Sequence, residues 1–151
     1  MTKPLYTLLF FTLFSGISLQ AQSDSIGTLE IEFTGIRSNE GLMAINVNTL
    51  NEKFPREPGI EIQFSKDQVE DGVLTVEIDS LAYGIYAISV LDDLNGNNKM
   101  DMFLKFPKEG YGFSLNPENK LRAPKFKECS FELNQPHQTI TILIRYPRKK
   151  K

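Results

Sequence analysis

The sequence predicts an all-β fold, an antiparallel β-sandwich of six or seven strands carrying one long ordered loop. Three observations lead there. Short stretches such as 28–34, 73–79 and 138–146 alternate apolar and polar residues, the period of a half-buried strand. Clusters of Gly, Pro, Asn and Asp punctuate the chain between them. No stretch of useful length keeps the helical period, so nothing supplies a helical layer.

The elements follow in order. Leu29, Ile31 and Phe33 point one way from the first strand, and Thr28, Glu30, Glu32 and Thr34 the other. Asn39 and Gly41 supply turn chemistry, and Met43, Ile45 and Val47 share a face of a second strand over 42–48; the two strands read as a hairpin. Residues 49–59 form a loop, because Pro55 and Pro58 cannot donate to a ladder. Phe54, in its middle, is expected to tuck against the sandwich edge. A short strand at 60–64 leads through a polar stretch to Asp71-Gly72, a hairpin-type dipeptide. Leu74, Val76 and Ile78 then point inward.

Gly84 lets the chain bend into a run apolar on both faces, the pattern of a central strand. Tyr86 stands where immunoglobulin-like sandwiches place a corner tyrosine bonded to nearby backbone; an ordinary packed aromatic reads equally well. The fold is therefore expected to be of prealbumin- or immunoglobulin-like kind. Residues 92–127 show no sustained period, yet Phe103, Phe106, Tyr111, Phe113 and Phe126 punctuate them, as in an ordered loop packed over the sandwich. Cys129, Phe131 and Leu133 share one face of a further strand, and Ile140, Ile142, Ile144 and Tyr146 face inward from the last.

The ends of the chain read differently. Lys3 precedes an apolar run over 5–19, and Ala21 is a plausible last residue of a cleaved signal peptide over 1–21. The apolar run is shorter than the ~20 residues a membrane span needs. Residues 22–147 are then the sandwich domain and 148–151 a basic tail. Without Lys3, 16 of the 17 basic residues remain against 19 acids, a formal −3. Four of those 16 lie in the tail, so the body stands at 12 against 19, or −7. An acidic exported module is not expected to bind nucleic acid, which demands a basic stripe. One Cys and one His exclude an intrachain disulfide, thiolate metal clusters and multi-histidine centres within one chain.

The strongest candidate site is Asp92-Asp93-Leu94-Asn95-Gly96-Asn97-Asn98-Lys99-Met100-Asp101. Asp93, Asn95, Asn97 and Asp101 present side-chain oxygens at alternating positions, and Lys99 offers its main-chain carbonyl. That is the donor set of Ca²⁺, which takes six to eight oxygens. With Asp93 as position 1, position 12 is Leu104, so the bidentate Glu of an EF-hand is missing and no helix flanks the loop. It is closer to the calcium loops of extracellular β-sandwich and dockerin-like modules. Two charged ligands, three if Asp92 joins, imply a weak structural site of about 10⁻⁴–10⁻³ M. The alternative is an Asn/Gly-rich turn with solvated acids.

In Lys108-Glu109-Gly110-Tyr111-Gly112-Phe113-Ser114, Lys108, Tyr111 and Phe113 are candidate ligand-binding residues for a sugar or peptide. The favoured reading is structural, with aromatics plugging the sandwich end. No catalytic residues are assigned. His137 lies in a turn with no nucleophile elbow in the chain, and Cys129 reads as a buried small hydrophobe.

Leu81-x-x-Gly84-x-Tyr86-Ala87-Ile88, the loop Asp93-x-Asn95-Gly96-Asn97-x-x-x-Asp101, the run from Phe106 to Ser114 and a late Pro124-x-Phe126 together resemble the exported bacterial family called domain of unknown function 2141. The resemblance covers about residues 27–146 and departs at Asn98, where the family usually has Gly. It implies fold and compartment, not a reaction. The expectation is an exported, calcium-stabilised module, periplasmic, cell-surface or extracellular, with a binding or structural role at the cell envelope, a cell-envelope protein or glycan as its partner, and no transmembrane segment after signal removal. The alternative is a hydrolase of envelope polysaccharide or peptide.

Overall fold

The computed structural model describes residues 25–147, except 51, 52, 58, 105 and 119–121 and the side chain of Phe106. The expected signal peptide and basic tail lie outside the described residues. Two sheets pack face to face. One has the order β10-β1-β4, from β1 (Ile26–Thr34), β4 (Leu74–Ala82) and β10 (His137–Leu143). The other has the order β3-β2-β5-β8, from β2 (Leu42–Asn48), β3 (Ile60–Ser65), β5 (Gly84–Asp93) and β8 (Gly110–Phe113), with β9 (Phe131–Leu133) paired to the start of β5. A small ribbon, β6 (Met102–Phe103) and β7 (Phe106–Pro107), stands apart. The expected all-β sandwich is the fold. Among the described residues no helix is long and apolar enough to cross a membrane.

Alternation builds the core as the sequence implies. Leu29, Ile31 and Phe33 of β1, Met43 and Ile45 of β2, and Ile88 of β5 are fully buried in one cluster with Leu74, Val76, Ile78 and Ile142. Burial at this scale stabilises by about 1.5–3 kcal/mol per large side chain. Polar residues line the outer face of the smaller sheet, where Thr28 donates to Asp79 at 2.7 Å and Thr139 to Glu30 at 3.0 Å.

Three expectations are corrected. β1 and β2 are not a hairpin: β1 pairs with β10 and β4, β2 with β3 and β5. Residues 35–41 carry the chain from one sheet to the other, so the apolar faces of the two strands meet across the core. The sandwich is also not wholly antiparallel, since β1 and β10 run parallel from Thr28 opposite His137 to Thr34 opposite Leu143. β9 ends at the Gly84 end of β5, where β1 also begins, so the chain enters β10 alongside the start of β1. Third, Cys129 does not lie on a strand. It closes a four-residue helix, α1 (Phe126–Cys129), before β9 starts at Phe131.

A second core lies on the outer face of the larger sheet. Phe54 from the 49–59 loop, Phe126 and Cys129 from α1, and Ala87 from β5 are buried together, with Phe113 packed against them. Phe54 meets Phe126 at 6.0 Å and Phe113 at 6.1 Å between ring centroids, both edge to face. This second layer is why both faces of β5 are apolar. Tyr86 fills the expected corner, its hydroxyl donating to the Ala82 carbonyl at 2.7 Å.

Candidate functional site

The central strand β5 ends at Asp93, and the Asp/Asn loop springs directly from it. Asp93 is fully buried. One carboxylate oxygen accepts the backbone N–H groups of Gly96 at 2.8 Å and Asn97 at 3.3 Å, and the other accepts that of Asn98 at 2.7 Å. The pattern repeats along the loop. Asn95 Oδ1 accepts from Asn97 N–H at 3.1 Å, and Asn97 Oδ1 from Lys99 N–H at 2.8 Å. Such side-chain-to-backbone bonds are the local turn chemistry of Asn and Asp. They coil the backbone so that Asn95 and Asn97 reach the same carboxylate: their amide groups donate to Asp101 at 3.0 and 3.2 Å.

Backbone geometry completes the turn. Gly96 lies at φ 71° and Asn98 at φ 58°. Asn is among the few residues besides Gly that enter the left-handed region readily, so Asn98 can serve at this turn position. Its side-chain oxygen also accepts from Gln63 of β3 at 2.9 Å, which ties the loop to the sheet edge. Gly41 is needed for close approach, because a Cβ there would lie 2.1 Å from the Asp93 carbonyl oxygen.

Glu109 was not singled out in the sequence, yet it fastens the loop at both ends. It is buried, and its two oxygens accept from Leu94 N–H at 3.2 Å and Asp101 N–H at 3.1 Å. Lys108 N–H adds a bond to the Asp101 carbonyl at 2.7 Å. Spacing gave no signal for Glu109, because β6 and β7 separate it from the loop it braces.

The structure thus brings Asp93, Asn95, Asn97 and Asp101 into one hydrogen-bonded turn, with Lys99 exposed on it. Among the described residues, no group of three or more His, Cys, Asp or Glu side chains is placed to hold a metal ion. The oxygen set is instead two carboxylates and two amides. It fits a hard cation in chemistry: an ionised carboxylate has about four lone-pair sites, and Asp93 uses three. At Asp101 the two amide NH₂ groups supply the positive dipoles that a cation would replace.

Asp92, beside this loop, takes no part in it. It is fully buried and ties two distant segments of the chain to the end of β5. Lys66, also fully buried, donates to one Asp92 oxygen, and the Tyr146 hydroxyl donates to the other. Arg37 stacks over the Tyr146 ring at 4.3 Å and its backbone N–H donates to the Tyr146 oxygen at 3.1 Å. Burial, and then the bond to Asp92, push the Tyr146 hydroxyl well above the usual phenol range. Composition gave no hint that Lys66 would be inside.

The second set of candidates divides. Lys108 is exposed at the foot of the β6–β7 ribbon, whereas Tyr111 and Phe113 are half-buried on the outer face of β8, their rings 6.0 Å apart. The glycines between them serve packing. A Cβ on Gly110 would stand 2.6 Å from the Tyr146 ring, and one on Gly112 would stand 2.7 Å from Ile142. Ser114, buried at the end of this run, accepts from Ile88 N–H at 2.9 Å and donates to the Cys129 carbonyl at 2.6 Å, locking α1 to β5. The Cys129 thiol is pushed up to about 12 by burial, so it stays protonated. Phe103, expected to pack over the sandwich, is instead 65% exposed.

The family model described as "Uncharacterized protein conserved in bacteria (DUF2141)" matches residues 31–141. The match begins within β1 and ends within β10, so it takes in both sheets and the whole loop. No curated protein and no solved structure matches the chain.

Proposed function

The chain belongs to the bacterial family of uncharacterised proteins called domain of unknown function 2141, and on that premise we propose that it is an exported, calcium-stabilised β-sandwich module with a binding or structural role at the cell envelope. The observation that carries the calcium reading is the ladder of bonds from Asp93 through Asn95 and Asn97 to Asp101. It holds four oxygen-bearing side chains on one tight turn. Asp93, Asn95, Asn97 and Asp101 would hold the ion with side-chain oxygens, and Lys99 with its carbonyl. The ion would supply charge neutralisation and stiffness, a structural service rather than activation of water, because the loop's two carboxylates are both assigned as ligands and it carries no histidine. Export rests on the pattern of residues 1–21.

Calorimetric titration of the mature protein with Ca²⁺ tests the first part. Saturable heat with Kd of about 10⁻⁴–10⁻³ M is expected, and Asp101→Asn should weaken it about tenfold or more, since it removes one of two charged ligands. An absence of binding heat removes calcium from the account. Fractionation of cells, with the mass of the recovered chain, tests export: a chain starting at Gln22 outside the cytoplasm is expected, and a full-length cytoplasmic chain contradicts it.

A further inference from the structure

The described apolar side chains of the β6–β7 ribbon face solvent rather than the core. Met102 is 50% exposed, Phe103 65% and Leu104 83%. The three are consecutive and occupy the tip of a two-stranded ribbon, where Leu104 takes φ 58° in the turn. A non-glycine, apolar residue held left-handed at a solvent-exposed tip is costly twice, in backbone strain and in wetted apolar surface. Scattered exposed hydrophobes need no explanation, but a contiguous cluster does.

Charge separates the candidate occupants. Residues 99–108 carry three lysines and one acid, locally +2, on a body of −7. Lys99 and Lys108, which flank the ribbon in the sequence, are both exposed. The single acid, Asp101, is drawn into the loop by Asn95 and Asn97. A narrow apolar projection collared by lysines on an acidic body has the polarity of a membrane-surface anchor: apolar side chains enter the acyl boundary while ammonium groups stay with anionic headgroups. The acidic body, repelled by the same surface, would orient the tip toward it. An apolar pocket on a protein would need no such collar.

We infer that the β6–β7 tip, Met102-Phe103-Leu104 with Lys99 and Lys108, docks the protein on an anionic lipid bilayer. This names the partner for the envelope role proposed above and rests on that reading. The bracing of the ribbon's foot to the Asp/Asn loop, through Lys108 N–H to the Asp101 carbonyl and Glu109 to Asp101 N–H, gives the tip a rigid base.

The experiment is co-sedimentation of the mature protein with vesicles of phosphatidylglycerol and phosphatidylcholine, against phosphatidylcholine alone, in EDTA and in Ca²⁺. Binding to the anionic vesicles that weakens at high salt is expected. Phe103→Ser with Leu104→Ser should lower partitioning at least about tenfold. Lys108→Gln should lower it about fivefold at low salt. All of these residues are exposed, so the variants should melt as the parent does, and that is checked first. Equal binding to both vesicle types, or binding untouched by the serine pair, overturns the proposal. So does self-association of the parent that the serine pair abolishes without any vesicle binding, which would assign the tip to a second copy. Failure here leaves the calcium titration and the fractionation result standing, because neither uses lipid.

Discussion

Lys66 and Asp92 show most clearly what single residues do here. Both are wholly buried and joined, with Tyr146 completing the carboxylate. Removing one member of a buried pair leaves a charge without a partner, which costs about 3–5 kcal/mol, whereas neutralising both costs far less. Lys66→Met should therefore lower unfolding stability by about that amount in urea. Lys66→Met combined with Asp92→Asn, which keeps an acceptor for Tyr146, should recover at least half of the loss. Equal losses in the single and double variants would mean that the pair is not coupled. Asp93, one residue on, has a different task, since its carboxylate serves the loop's own backbone. Adjacent aspartates at the end of one strand thus point to opposite sides and do unrelated work, which period-two geometry explains.

At the scale of elements, α1 depends on a local device. Glu128 accepts the Lys125 backbone N–H at 2.7 Å and forms a two-point pair with Arg122 at 2.8 and 2.9 Å. The Arg122 bond, and then the Lys125 N–H, hold the Glu128 carboxyl down to about 2. A depressed folded-state value means that the stabilisation is complete above the ordinary glutamate range and is lost as pH falls from there through about 2. The pair is exposed, so its energetic effect is small. Carboxyl chemical shifts should show Glu128 titrating near that value, and Arg122→Ala should move the midpoint upward; a midpoint unmoved in the variant would contradict the pairing. Elements were legible in the sequence where alternation was clean, as in β1 and β4. β8 was not, because Gly110 and Gly112 leave its inner face without apolar side chains to show a period, and only contact with Tyr146 and Ile142 reveals that packing demands them. α1 was hidden because four residues are too few to show a helical period.

For the whole molecule, the fold class and the loop were readable, and the pairing of strands was not. Alternation specifies which face of β1 is buried but not which strand lies beside it, so proximity in sequence suggested a hairpin where the chain in fact changes sheets. The loop's residues were legible because their oxygens alternate locally, while Glu109, Lys66 and Tyr146 come from other connections that only the fold assembles. All of these connections meet at one end of the sandwich, where the central strand ends at Asp93. An ion bound there acts on the stability of the entire domain, since whatever binds only the folded state raises it. For a Kd of about 10⁻⁴–10⁻³ M, about 10 mM Ca²⁺ should add about 1.4–2.7 kcal/mol, which raises the melting temperature of a domain this size by about 4–12 °C. The most direct measurement is thermal melting of the mature protein and its Asp101→Asn variant in EDTA and in Ca²⁺. The parent should rise by that amount and the variant by about half of it or less. Coincident parent curves in the two buffers, or an equal rise in the variant, would contradict a calcium site in the Asp93–Asp101 loop.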